Sequence, residues 1–294
     1  MLEIARLKQE TPVGSLVVMP VSPLDYRYGR DIAKEIWSRE GRHARSLEVE
    51  RALIWAHSKM GRVSPEDYDA VAEISDPGIV TADRVDELEA ETKHDIMALT
   101  KAMAEAAGDA GWCVHLGATS NDIVDSAVAL QIKDSIAIQE QSTLKLILTL
   151  CEIAEREKGT VMLGRTHGQA AVPITFGLKV AVWIDEMRRH LERLREMRPR
   201  CITGKFLGAV GTGAAQGERA LELQDLVLGE LGLEVPVATT QVVGRDRYIE
   251  WVGWMANVAT SIEKILQEIR NLQRTEIGEV AEAFDSKKQV ASST

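Results

Sequence analysis

The stretch DIVDSAVALQIKDSIAIQEQSTLKLILTLCEIAEREK (122–158) decides the fold. It holds neither glycine nor proline, and Ile123, Ala127, Leu130, Ile136, Leu144 and Ile147 recur at helical spacing. A helix of almost 40 residues would be about 60 Å long. Helices of that length with more than one apolar face normally pack as a bundle, often between chains. The text beyond it reads the same way over Val172–Met197, Gly217–Leu231 and Thr239 to about Val280, with no strand alternation after residue 120. Shorter helices are predicted upstream: Asp31 to about Trp37, Arg42 to Lys59, one opening at Ser64-Pro65, Asp83–Glu91 and His94–Ala107. The expected fold is all-α. A small N-terminal helical domain over 1–118 would precede a long-helix bundle domain over 119–294. The first 20 or so residues, punctuated by Pro12, Gly14 and Pro20, read as an irregular arm.

Composition narrows the function classes. The 294 residues carry a formal net charge of −10, which argues against nucleic acid or an anionic membrane as the main partner. With 45% hydrophobic and 27% charged residues the chain is ordinary for a folded domain, and disorder is not expected. Cys113, Cys151 and Cys201 are odd in number and scattered, so they suggest neither a disulfide framework nor a thiolate zinc site. The N-terminus lacks a basic stretch followed by an apolar run, and no run is long enough for a membrane span. These features give the expectation of a cytoplasmic, soluble protein.

Six histidines are present, none in H-E-x-x-H or another metal-ligand spacing, so no metal site is expected. His43, His57 and His190 lie in amphipathic helical text and read as partly exposed helix residues. His94, His115 and His167 stand instead at element boundaries among small polar residues. In Lys93-His94-Asp95, the aspartate is well placed to cap the next helix. His115-Leu116-Gly117-Ala118-Thr119-Ser120-Asn121-Asp122 feeds the long helix. It serves equally as N-cap chemistry or as a nest of backbone N–H groups and hydroxyls for a carboxylate. Gly164-Arg165-Thr166-His167-Gly168-Gln169 reads as a polar loop between long helices. A plain linker needs turn formers but not Arg, Thr, His and Gln together; Thr166 and Gln169 would fix the imidazole tautomer for general acid–base work. The run Gly204–Gly213 is glycine-rich but follows no strand and matches no phosphate-loop or dinucleotide pattern, so its glycines suit a sharp turn and close backbone approach.

Taken together, SPLDYRYG (22–29), KHD (93–95), HLGATSNDIVD (115–125), GRTHGQ (164–169), GKFLGAVGT (204–212), TTQVVGRDR (239–247) and KKQVASST (287–294) resemble, in order and spacing, the adenylosuccinate lyases of the fumarase/aspartase superfamily. The last segment resembles the start of the signature S-S-x-M-P-x-K-x-N, and the chain stops before the methionine. The resemblance implies further long helices and a small C-terminal helical domain beyond that point. It also implies the signature's lysine and asparagine and a downstream glutamate paired with the catalytic histidine. On this reading the chain is a fragment.

The implied reaction is β-elimination: adenylosuccinate gives AMP and fumarate, and SAICAR gives AICAR and fumarate. The proton lost is weakly acidic, so donors must stabilise charge on the neighbouring carboxylate, and the leaving nitrogen departs more easily once protonated. No redox step or electron sink is needed, so no cofactor is implied. By matching positions, His167 would be the general acid and Ser292 the base. Arg27 and Tyr28 would bind the nucleotide phosphate, with Lys93, His94 and Asp95 lining the nucleotide region. Thr119 and Ser120 would hold a succinyl carboxylate, Gln241 another polar edge, and His115 would orient substrate or phosphate. The family pattern often has Arg at the place of Lys93. The partners implied are nucleotide substrates and further copies of the chain, in a homotetramer whose sites are shared between chains. Among rivals, an argininosuccinate lyase would read S-R-N-D-Q where this chain has Thr119-Ser120-Asn121-Asp122-Ile123, and a fumarase would not need Arg27 and Tyr28. A cycloisomerase of the superfamily and a non-catalytic helical assembly protein complete the alternatives.

Overall fold

The computed structural model describes residues 28–283, 285 and 287; Arg27, Ser292 and the N-terminal arm lie outside it. It is mainly helical, with one small sheet. In chain order the helices are α1 (Asp31–Trp37), α2 (Arg39–Lys59), α3 (Pro65–Ile74), α4 (Ala82–Thr92), α5 (Asp95–Ala107), α6 (Ser120–Arg156), α7 (Phe176–Cys201), α8 (Ala220–Leu231) and α9 (Asp246–Leu272). Two 3₁₀ segments, Gly108–Cys113 and Ala214–Arg219, and a hairpin of β1 (Val161–Thr166) and β2 (Gln169–Thr175) complete the described elements.

Polar caps set where the early helices begin. Ser38 Oγ accepts Gly41 N–H at 2.9 Å, Ser64 Oγ accepts Asp67 N–H at 3.0 Å ahead of Pro65, and Thr81 Oγ1 accepts Arg84 N–H at 3.2 Å. The α5 cap departs from the sequence expectation. His94, not Asp95, caps the helix: its Nδ1 accepts Met97 N–H at 3.3 Å, and Asp95 becomes the first helical residue.

The chain groups into two compact units, residues 1–135 with 202–244 and residues 136–201 with 245–294, so α6 contributes to both. The first unit is built around α2, which is buried on most of its circumference: Leu47, Val49, Leu53, Ile54 and Ala56 are core, and so are Glu50 and His57. The first turns of α6 act as its polar anchor. Asp122 Oδ2 accepts Thr119 N–H at 2.8 Å, while Oδ1 pairs with the Lys205 ammonium and lies 3.4 Å from Gly208 N–H; the side chains of Asp122 and Lys205 are both fully buried. One turn on, Asp125 Oδ2 accepts Val243 N–H at 2.8 Å. The glycine-rich run thus packs against α6 and against residues 239–244. A Cβ on Gly211 (φ +78°) would stand 2.0 Å from Thr239 O, so this approach requires glycine.

In the second unit α7 and α9 pack around Leu150, Val180, Trp183, Met187 and Ile265, with Phe176 edge-on to Trp183 at 6.3 Å. The hairpin here corrects the loop expected over residues 164–169 and the absence of strands after 120; helix α7 starts at Phe176, not Val172. Along β1 the apolar Val161 and Leu163 face outward while Met162 and Gly164 are buried, and β2 is mostly exposed. The usual apolar-in, polar-out alternation is therefore missing from the text. Likewise α9 starts at Asp246, because residues 239–244 are held as a loop on Asp125.

Removing one partner of a buried ion pair leaves an uncompensated charge. Lys205→Met is expected to lower unfolding free energy by about 3–5 kcal/mol, measured by urea denaturation. The double variant Lys205→Met/Asp122→Asn should lose clearly less.

Candidate functional site

Among the described residues, three non-glycine residues have positive φ: Lys93 (+56°), His115 (+62°) and His167 (+55°). All three are residues that sequence reasoning selects for the site. Left-handed backbone costs a non-glycine residue about 1–2 kcal/mol, so each must be held there by its surroundings.

His167 shows the cause most directly. Thr166 pairs with Gln169 across the hairpin, leaving His167-Gly168 as a two-residue loop with φ of +55° and +71°. Both central residues are left-handed, as a type I′ turn requires, and turn chemistry favours Asn-Gly there. The chain places an imidazole at the exposed tip instead. Among the described residues His167 has no hydrogen-bond partner, so Thr166 and Gln169 do not fix its tautomer as expected. The hairpin is held from behind: Arg165 donates to both carboxylate oxygens of Glu279, at 2.8 and 3.1 Å, and Leu163 N–H donates to Oε1 at 3.3 Å.

In the other unit Lys93 ends α4 in the left-handed conformation and is exposed. Next to it, the cap fixes the His94 tautomer. Its Nδ1 accepts a backbone N–H, so the proton of the neutral ring sits on Nε2, which lies 3.4 Å from Ser120 Oγ. With Nε2–H as donor, the Ser120 hydroxyl keeps its own proton to give onward. Asp95 Oδ1 accepts Ile96 N–H at 2.8 Å and Oδ2 accepts from Arg42 at 3.3 Å, tying this junction to α2. The structure thus brings His94 and Ser120 together, with Thr119 alongside. Asp122 takes the Thr119 N–H, so the expected nest loses that donor, while first-turn N–H groups and both hydroxyls remain. Because Lys205 neutralises Asp122, the helix start does not present net negative charge to an incoming carboxylate.

His115 is fixed by residues that the sequence reading did not single out. Its Nδ1 lies 2.6 Å from Glu50 Oε1 on α2, and the Glu50 side chain is 0% exposed. Two turns further along the same helix, His57 Nε2 donates to Leu116 O at 2.9 Å, and Gln216 Nε2 donates to the same carbonyl at 3.0 Å. Burial works against a charge on His115, but the carboxylate of Glu50, as charge and as acceptor, and the charge of Asp122 outweigh it and raise its pKa. Burial lowers the pKa of His57, only partly offset by its carbonyl partner. Glu50 and His57 share a face of α2, but that spacing alone does not mark Glu50 in the sequence; its contact with His115 does.

The remaining candidates are less gathered. Gln241 is exposed, two residues before Val243, whose N–H is anchored on Asp125. Tyr28 is exposed ahead of α1. His43, His57 and His190, expected as partly exposed, are instead 8%, 1% and 1% exposed and hydrogen-bonded to Val80 O, Leu116 O and Ser261 Oγ. A cleft of about 310 Å³ beside Asp95 is lined by Arg39 and Arg42, which are engaged by Asp83, Asp86 and Asp95.

A family model described as lyase matches residues 26–294. The chain belongs to the lyase family. Among curated relatives, this lyase chain is 48% identical over 276 residues to an adenylosuccinate lyase of Pyrococcus abyssi, covering 94% of this chain and 61% of that protein. Corresponding figures for that of Pyrococcus horikoshii are 49%, 94% and 61%. The chain therefore spans about three-fifths of the length of these relatives. Solved structures of similar fold include a fumarate lyase from Mesorhizobium sp. BNC1, with TM-score 0.80 and 35% identity over 87% of this chain and 61% of that one. A 3-carboxy-cis,cis-muconate lactonizing enzyme from Pseudomonas putida has TM-score 0.83 and 31% identity, covering 91% and 62%. The all-α expectation agrees with these neighbours. No helix among the described residues is long and apolar enough to cross a membrane.

Two outcomes follow from the local geometry. Lys93→Gly relieves the left-handed strain at an exposed position, so its thermal midpoint should match or exceed that of the unmodified protein. A raised folded-state pKa at His115 contributes stability that is complete below the unfolded value near 6.5 and vanishes as pH rises through the folded value. The stability deficit of His115→Asn in urea should accordingly be larger at pH 6 than at pH 9.

Proposed function

We propose that this protein releases fumarate by β-elimination, from adenylosuccinate to give AMP and from SAICAR to give AICAR, in purine nucleotide biosynthesis. The observation that carries the reading is 48–49% identity to curated adenylosuccinate lyases over 94% of the chain. The geometry supports it, since the left-handed residues Lys93, His115 and His167 fall in three of the segments that carry the resemblance.

In this mechanism a base removes the proton next to a carboxylate, that electron pair becomes the double bond of fumarate, and the C–N bond breaks toward the leaving nitrogen, which takes a proton. We assign the base to Ser292 and the acid to His167, whose exposed place on the hairpin tip leaves its ring nitrogens open to a ligand. Ser120 and Thr119 hold the carboxylate where charge builds up, at a helix start that favours anions. Arg27 and Tyr28 take the phosphate, a pairing suited to guanidinium and phenol, while Lys93, His94, Asp95, His115 and Gln241 border the nucleotide.

The working form is a homotetramer in the cytoplasm, with each site drawn from several copies. Exposed Leu148, Leu178, Val182, Val252 and Leu266 on α6, α7 and α9 give it apolar surface to cover. The domain layout proposed with it is an N-terminal helical domain over 1–118 followed by the long-helix domain. A lactonizing activity on a tricarboxylate is the second reading, favoured by the neighbour of TM-score 0.83; that reading has no use for a phosphate site.

Adenylosuccinate cleavage, followed by its ultraviolet absorbance with fumarate measured alongside, tests the proposal. Fumarate should appear with the unmodified protein. His167→Ala should lose at least about a hundredfold in kcat, the lower range for a general acid, while its assembly state by light scattering stays the same. Turnover close to normal in that variant would remove His167 from the acid role.

A further inference from the structure

Glu50 sits where helix packing alone asks for leucine or methionine. Its neighbours Leu47, Val49, Leu53 and Ile54 are at most 1% exposed, and its own side chain is fully buried. One oxygen holds His115 Nδ1 at 2.6 Å, and the other, Oε2, is buried with no hydrogen-bond partner. A half-satisfied buried carboxylate weakens a core, and an apolar residue of equal volume would be at least as stable. Its effect falls on His115. With the Nδ1 proton given to Glu50, the only other ring nitrogen is Nε2, which has no partner among the described residues. The His115 side chain is 21% exposed and Glu50 not at all, so the accessible edge of the ring lies away from the carboxylate. Leu116, the next residue, is clamped by His57 and Gln216, and the backbone at His115 is left-handed.

We propose that Glu50 is a positioning residue: its buried carboxylate takes the Nδ1–H of His115 and favours the charged ring, whose Nε2–H is then presented to an anionic oxygen of the substrate. This rests on the adenylosuccinate reading, in which that oxygen belongs either to the phosphate or to a carboxylate. The ionisable groups facing the 115–122 segment are Glu50 and His57 from α2, Asp122 with Lys205, Arg62 bonded to Gln216, and His94 near Ser120. Of these Glu50 and Asp122 favour the charged imidazole, and Glu50 alone touches it.

The test uses protein labelled with ¹⁵N-histidine, the His115 signals being assigned from His115→Asn. In the unmodified protein His115 should titrate above the ordinary histidine range with Nδ1 protonated, and its signals should move on adding inorganic phosphate or fumarate; whichever moves them names the oxygen. In Glu50→Gln the midpoint should fall and the response to that probe should weaken. The kcat/KM for adenylosuccinate at pH 8 should drop about tenfold, the size expected for one lost hydrogen bond from a charged donor, recovering toward lower pH as the imidazole charges. Glu50→Asp should restore part of both effects. An unprotonated His115 Nδ1 in the unmodified protein overturns the proposal, whatever the variants do. So does a titration unchanged in Glu50→Gln, or an absence of response to both probes. If neither protein cleaves adenylosuccinate while the titration and probe responses behave as described, the substrate reading fails and the Glu50–His115 assignment stands.

Discussion

A single buried carboxylate, that of Asp122, sets the geometry on which the first unit depends. One oxygen closes the start of α6 by taking the Thr119 N–H, and the other receives the ammonium of Lys205, which also donates to Gly208 O at 3.1 Å. Neither charge reaches solvent, so each is tolerable only while the other is in place. Because the pair joins a helix start to a glycine-rich loop, the loop cannot drift without exposing a charge to the interior. Asp125 extends the same logic one turn later, toward Val243. Polar residues at the start of a helix are ordinarily surface caps. Here they are the point where separate stretches of chain are locked in register.

That lock accounts for the way residues 115–120 tolerate unfavourable backbone. Residues 115–120 are bounded by Glu50 and His57 on one side, Gln216 on another and Asp122 ahead. With so many fixed partners the left-handed φ of His115 is imposed rather than chosen. Lys93 ends a helix, where a left-handed residue is common but is usually glycine, and His167 fills a turn position that suits asparagine. At all three, the glycine or asparagine that conformation would prefer has given way to a lysine or a histidine.

Helical periodicity made most of the architecture readable. Asp122–Lys158 was legible because nothing interrupts its apolar spacing, and the helix opening at Ser64-Pro65 because cap and proline signals coincide. The hairpin was illegible because Val161, Leu163 and Val172 are exposed while Met162 and Gly164 are buried, so exposure alternates without an apolar-in, polar-out pattern in the sequence. The cap of α5 was misread because aspartate is the commoner capping residue, whereas His94 accepts through a ring nitrogen whose tautomer depends on its neighbours. His94, His115 and His167 stood out in the sequence as histidines among small polar residues at element boundaries. Glu50 did not, because a glutamate in an otherwise buried helix announces itself only once its partner, 65 residues away, is known.

The hairpin that carries His167 is the least supported regular element of its unit. Two strands alone are marginal in water, β2 is largely exposed, and Pro173 removes one donor from the ladder. The fastening shown from outside the ribbon is Glu279, through charges that are partly solvated and therefore screened by salt. Amide hydrogens of residues 161–175 would then exchange by local opening, at a free energy well below that of the α7–α9 core. The imidazole nominated for proton transfer thus rides on a segment whose open and closed populations respond to ionic strength, whereas Thr119 and Ser120 stand at a helix start fixed by buried charge.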